Sequence, residues 1–169
     1  PITAAGYPAE TPMGTYLDTY FLTIKGGSAQ FNISAVLDGL SWAALDFSIR
    51  VQASDNLVGI MQYNKIIWLI GSQTSEPWYD SGAVTFPFQS VPQVLIPMGT
   101  CAPFSIVRST QAICWLHQSE RGQGIFVAAA DYNPKRISTY AVEAIWKTYP
   151  TLTDCVAYCL TWEGHEWCV

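Results

Sequence analysis

Apolar and polar positions along this chain come in paired short runs separated by glycine-bearing breaks. Tyr20-Phe21-Leu22 leads through Lys25-Gly26-Gly27-Ser28 to Phe31-Asn32-Ile33, and Ile67-Trp68-Leu69 leads through residues 71–75 to Trp78-Tyr79. Cys114-Trp115-Leu116 leads through Glu120-Arg121-Gly122 to Ile125-Phe126-Val127, and Tyr158-Cys159-Leu160 leads through Glu163-Gly164 to Trp167-Cys168-Val169. An aromatic-rich run, a turn residue able to adopt positive φ, and a second aromatic-rich run read as a β-hairpin. Four hairpins are thus predicted, near residues 19–34, 65–80, 112–128 and 156–169.

The leucines that close the first runs (Leu22, Leu69, Leu116, Leu160) recur at steps of 47, 47 and 44 residues. A step of that length is the signature of a propeller blade, in which one sheet is used repeatedly and each copy buries a face against the next. Aromatic spacing across the breaks varies little (Phe21 to Phe31, Trp68 to Trp78, Trp115 to Phe126, Tyr158 to Trp167), so a common cross-strand register is expected. Further strands at 57–61 and 104–107 would supply a third member of a blade, and the segment after each hairpin a fourth. The fold class expected is all-β, a single partial β-propeller domain over residues 1–169. Propellers close with about four to eight blades, whereas this length holds about three and a half repeats. The chain opens at Pro1 without an initiating Met and ends within a predicted strand, so a piece of a larger propeller is expected.

One stretch changes period. Ile137, Ala141, Val142, Ile145, Trp146 and Tyr149 share one face at helical spacing, predicting a helix over residues 139–149. Ser138 is placed as its N-cap, Ile137 and Val142 as a hydrophobic staple, and Pro150 as its stop.

Composition then narrows the class. Half of the residues are hydrophobic and 14% aromatic, but only 12% are charged, about half of the ~25% usual in a soluble domain. No apolar run is long enough for a membrane span, so the deficit points to exterior buried against other subunits. A net charge of −5 argues against a general nucleic-acid surface, which needs clustered Lys and Arg.

Candidate chemistry is sparse. Five cysteines leave any disulfide framework with one unpaired and fit a reduced, cytosolic site of assembly. Cys155, Cys159, His165 and Cys168 could form a zinc set by ligand type. Their spacings are unusual, however, and Cys155, Ala157 and Cys159 alternate as one face of a strand. His117 and His165 sit in no hydrolase or zincin motif. Residues 119–126 have the outline of a sialidase Asp-box but lack its aspartate. Glu163 with Glu166, and Glu76 with Asp80, are the available carboxylate pairs, and either reads more simply as loop charge than as an acid and base. Neither an enzyme nor a cofactor is expected.

Several blocks carry a resemblance. Ile67-Trp68-Leu69-Ile70-Gly71, Trp78-Tyr79-Asp80-Ser81-Gly82, Phe86-Pro87-Phe88, Met98-Gly99, Trp115-Leu116, Arg136-Ile137-Ser138-Thr139, Glu143 and Gly164-His165 occur in the order found in packaged-DNA stabilisation proteins of short-tailed bacteriophages, which the chain resembles from about residue 14 to 169. That resemblance implies a propeller-like virion protein, assembled in the host bacterial cytoplasm. It also implies a ring of identical subunits beneath the portal, in contact with portal-adaptor and needle proteins, that keeps the genome in the filled head. A non-enzymatic propeller scaffold and a glycan-binding or glycan-cleaving propeller are the other readings.

Overall fold

The computed structural model describes residues 2–118, 122 and 124–169. The first sheet contains Gly14–Leu17 (β1), Tyr20–Ile24 (β2), Gln30–Ile33 (β3) and Phe47–Ile49 (β4). Leu57–Tyr63 (β5), Ile66–Gly71 (β6), Ser75–Asp80 (β7) and Phe88–Ser90 (β8) form the second. The third is built from Val107–Arg108 (β9), Ile113–Gln118 (β10), Gly124–Ala129 (β11) and Lys135–Arg136 (β12). After the helix Tyr140–Trp146 (α1), Cys159–Trp162 (β13) and His165–Cys168 (β14) pair alone. Each four-stranded sheet is an antiparallel meander with its strands in chain order. This is the blade design, and all four predicted hairpins are present.

The first strands bring the sheets together. β1 lies beside β5, and β5 beside β9. Thr15 Oγ1 accepts from the Gln62 amide at 3.2 Å, and an Arg108 guanidinium nitrogen donates to Gln62 Oε1 at 2.8 Å. The sheets therefore splay outward from a shared inner edge.

Between the sheets lies the core, formed by alternate residues of each strand. Leu22, Ile24, Phe31 and Ile33 of the first sheet meet Ile67, Leu69 and Trp78 of the second, with Phe31 edge-on to Trp78 at 5.0 Å. Trp68 and Ile70, on the other face of β6, meet Ile113, Trp115, Val127 and Ala129 of the third sheet. β6 is covered on both sides, which is why Ile66-Ile67-Trp68-Leu69-Ile70 is an unbroken apolar run.

Three expectations need correction. The 47-residue step preserves the hairpins but not their sidedness: Leu22 points onward to the next sheet, whereas Leu69 points back to the previous one. A one-residue slip in a strand reverses every side chain, and the connecting segments absorb the slip. Nor do the spaced aromatics pair across the ladder. Trp68 lies opposite Pro77, Trp115 opposite Val127, and Tyr158 exchanges both backbone hydrogen bonds with Val169. The hairpin connections span five residues in the first sheet, three in the second and two in the last, so a near-constant aromatic spacing cannot keep one register. The strand expected at 104–107 is shortened to β9 and preceded by a 3-10 turn, Pro103–Ser105. There the Leu116 amide donates to Ser105 Oγ at 3.1 Å and its carbonyl accepts from Thr100 Oγ1 at 2.6 Å, so two hydroxyls take the place of a strand neighbour.

The helix also differs from expectation. It is shorter, Tyr140–Trp146, and Thr139 rather than Ser138 is its N-cap, accepting from the Val142 amide at 3.5 Å. Its polarity is inverted: Glu143 is 1% exposed while Val142 and Ile145 face solvent.

Candidate functional site

Two of the sequence blocks hold backbone in place. In the Trp78-Tyr79-Asp80-Ser81-Gly82…Phe86-Pro87-Phe88 stretch, Asp80 Oδ1 accepts from the Gly82 amide at 2.8 Å, and the Ser81 amide and hydroxyl both donate to the Pro87 carbonyl, at 2.7 and 2.8 Å. Gly82 sits at φ 67°, where a side chain would be strained. This turn delivers Phe86 and Phe88 to the aromatic cluster around Phe31.

The Arg136-Ile137-Ser138-Thr139 block anchors α1. Arg136 Nε and Ser138 Oγ both donate to Glu143 Oε1, at 2.6 and 2.5 Å, and the guanidinium lies 4.0 Å over the Tyr140 ring. Ser138 Oγ in addition accepts from the Phe126 amide at 3.0 Å, tying the helix to β11. A carboxylate buried beneath a helix is tolerated because donors converge on it.

A second buried charge cluster locks the first sheet to the second. Arg50, just after β4, bonds Asp55 Oδ1 at 3.0 Å and Thr74 Oγ1 at 2.5 Å, with its Nε 3.5 Å from Glu76 Oε2. Glu76 also accepts from Trp78 Nε1 at 3.0 Å and from the Val51 and Gln52 amides at 3.4 Å. Burial alone would raise the Asp55 pKa, but the Thr74 hydroxyl, the Gln73 and Thr74 amides and the Arg50 charge together hold it below the ordinary value. A Cβ at Gly71 would lie 2.2 Å from both an Arg50 guanidinium nitrogen and an Asp55 carboxylate oxygen, so a side chain there would have to push this pair aside. Nothing in the local spacing of these residues announces the cluster, because its members come from three separate segments.

The candidate carboxylate pairs are therefore divided among structural tasks. Glu76 belongs to the buried cluster, Asp80 to a turn, and Glu166 accepts from the Thr110 amide and hydroxyl, both at 2.7 Å, fastening β14 to the loop before β10. Glu163 and Gly164, at φ 49° and 78°, form the two-residue turn of the last hairpin. The His117 ring Nδ1 lies 2.9 Å from the Gly99 carbonyl, and His165 is exposed on β14. Of the Asp-box outline, Ser119, Glu120, Arg121 and Gln123 lie outside the described residues.

The cysteines depart from expectation. Cys159 and Cys168, directly opposite each other in β13 and β14, form a disulfide, while Cys101, Cys114 and Cys155 are free. The set Cys155, Cys159, His165, Cys168 is thereby split: a bonded pair supplies no thiolate ligand, and no group of three or more His, Cys, Asp or Glu side chains placed to hold a metal occurs among the described residues. The alternation of Cys155, Ala157 and Cys159 is present in burial, although the paired strand begins only at Cys159. Burial pushes the Cys114 thiol up to about 11, with the Glu166 charge adding to it, and raises Cys101 and Cys155 as well.

Two hollows at the surface have largely apolar linings. Outside the first sheet, Tyr16, Phe21, Leu40 and Trp42 line an open hollow of about 540 Å³. Beyond the third sheet, Phe126, Ile137, Val142, Trp146 and Val156 line another of about 320 Å³. No helix among the described residues is long and apolar enough to cross a membrane.

A stack of antiparallel four-stranded sheets, splayed from their first strands and built without a convergent reactive cluster among the described residues, is the setting for comparison with known proteins. The family model described as "Bacteriophage P22 Gp10, beta-propeller" (Phage_stabilise) matches residues 10–169. The chain belongs to this family. No curated protein matches the sequence significantly. Membership accounts for the sheets as propeller blades and places the chain among phage structural proteins with a stabilising role. In this chain the blocks meet at the turn at Gly82, the anchor at Glu143 and the packing of Trp68 on Trp115.

Proposed function

We propose that the protein is a component of the phage particle that sits in a ring beneath the portal and retains packaged DNA. The observation that carries this reading is the family match joined to a surface poor in charge and rich in exposed aromatic and aliphatic side chains. Such surface is costly to leave in water and fits burial in an obligate assembly. Retaining DNA under pressure asks for rigidity, not chemistry. The interlocked sheets supply that through two wide apolar interfaces and buried charge clusters that resist shear between neighbouring elements.

Identical subunits and the portal-adaptor and needle proteins of the tail are the partners in this reading, with no role for a nucleic-acid sequence or a membrane. The protein works within the virion, after assembly in the host. Family membership favours neither a cellular scaffold nor a glycan-active propeller. A phage carrying a null allele tests the reading: electron microscopy of lysates should show heads that package and then empty. Heads that stay full without the protein would rule out genome retention.

A further inference from the structure

We propose that Cys101 and Cys155 form a redox-modification site, at which a low-molecular-weight disulfide of the glutathione class oxidises the two thiols to a second intramolecular bond. That bond fastens the segment between α1 and β13 to the turn that precedes the third sheet.

Two contacts bring these cysteines to the same place. The Ala157 amide donates to the Phe104 carbonyl at 3.0 Å, so the approach to β13 runs beside the 3-10 turn Pro103–Ser105. Cys155 stands two residues before one partner of that bond and Cys101 three before the other. Thr100, next to Cys101, donates its hydroxyl to the Leu116 carbonyl at 2.6 Å, and Leu116 and Cys155 together line a hollow of about 370 Å³ with Trp146 and Leu152. Cys101 and Cys155 thus converge beside Leu116 from connections far apart in the sequence.

Their state suits the chemistry. Both are free and half-buried, whereas Cys114 is free but buried and Cys159 is already joined to Cys168. A small disulfide therefore reaches Cys101 and Cys155 and is kept from Cys114. Burial raises both thiols above the usual range, and a charge on Cys155 raises Cys101 further, so the two sulfurs lie within reach of each other's field.

The exchange balances with one oxidant. One cysteine thiolate attacks a glutathione disulfide, forming a mixed disulfide and releasing a glutathione thiolate. The second cysteine thiolate then attacks the protein sulfur of that mixed disulfide and displaces the other glutathione. Two protein thiols are oxidised and one disulfide is reduced to two thiols.

The new bond would hold what little else holds. Among the described residues, the Ala157–Phe104 hydrogen bond is the one backbone tie from residues 150–157 to another element. This segment is therefore free to reach the Cα separation of about 7 Å or less that a disulfide needs. The site does not depend on the role proposed above. Under that role, a chain assembled among reduced thiols in the host and released into oxidising surroundings would gain the bond after assembly.

The wild-type chain, Cys101→Ser and Cys155→Ser, each treated with oxidised glutathione at mildly alkaline pH, quenched in acid and mapped by non-reducing peptide mass spectrometry, test this. The wild type should join the peptides of Cys101 and Cys155, keep the Cys159–Cys168 link and carry no glutathione. Each variant should retain one glutathione on its remaining thiol. Treatment should raise the unfolding temperature of the wild type by several degrees and leave that of the variants unchanged, because only the wild type closes a long loop. An unreacted wild type, stable glutathione adducts on its Cys101 and Cys155, or a link from either to Cys114 or Cys168 would overturn the proposal. So would a closed bond that brings no rise in unfolding temperature.

Discussion

Trp68 and Trp115 meet across the interface of the second and third sheets with ring centroids 6.0 Å apart. They occupy the same place in the sequence repeat, 47 residues apart, yet Trp68 points onward and Trp115 back. Both are fully enclosed, at 2% and 0% exposure, and neither indole N–H has a hydrogen-bond partner. Their contribution is therefore one of volume and contact. Trp115→Ala should destabilise by about 3–5 kcal/mol through lost transfer energy and a residual cavity. Trp167→Ala, on an exposed face, should change stability by less than about 0.5 kcal/mol. Urea unfolding of the two variants checks this, and equal losses would contradict the packing described.

The Arg50 cluster gives a test by subtraction. Arg50→Met leaves Glu76 buried without its cation, and breaking a buried pair in this way costs about 3–5 kcal/mol. Arg50→Met combined with Glu76→Gln should recover much of that loss. A double variant as unstable as the sum of the singles would show that the two residues do not act together.

Asp55 adds a pH dependence. Its folded pKa lies below the ordinary 3.8, so the folded chain binds this proton less readily than the unfolded one. The stabilisation is complete above the unfolded value and is lost as pH falls through the lower folded value. Unfolding free energies measured from pH 6 down to pH 2.5 should fall less steeply for Asp55→Asn than for the wild type. Parallel curves would contradict the assignment.

Cysteine labelling checks the last hairpin. Cys114, with a thiol pushed up to about 11, should resist iodoacetamide at neutral pH in the folded chain, and Cys159 and Cys168 should label only after reduction. Peptide mass spectrometry reads each site. Labelling of Cys168 without a reductant would contradict the disulfide.

These tests fall on features of unequal legibility. The hairpins were plain in the sequence, because a glycine-bearing break between aromatic runs is a local signal. Sidedness was not: whether Leu69 points onward or back depends on the length of connections far from Leu69, and a slip of one residue reverses it. The helix at 140–146 was found by its period, but the apolar stripe hid its orientation. Arg136 and Ser138 draw Glu143 inward, and no pattern within the helix encodes donors that precede it. The Arg50 cluster and the Cys159–Cys168 bond were missed for a similar reason. The first joins segments brought together only by stacked sheets. The second depends on which residues of β13 and β14 stand opposite, which the Glu163-Gly164 turn sets.

The proposed role in genome retention rests on packing and rigidity. Nuclease-protected DNA per particle, measured in a null phage complemented with variants, tests it most directly. Complementation with His117→Ala/His165→Ala, which removes both imidazoles, should restore full protection, whereas Trp115→Ala should leave particles depleted of DNA. Full protection with Trp115→Ala, or loss of protection on removing the histidines, would contradict the account.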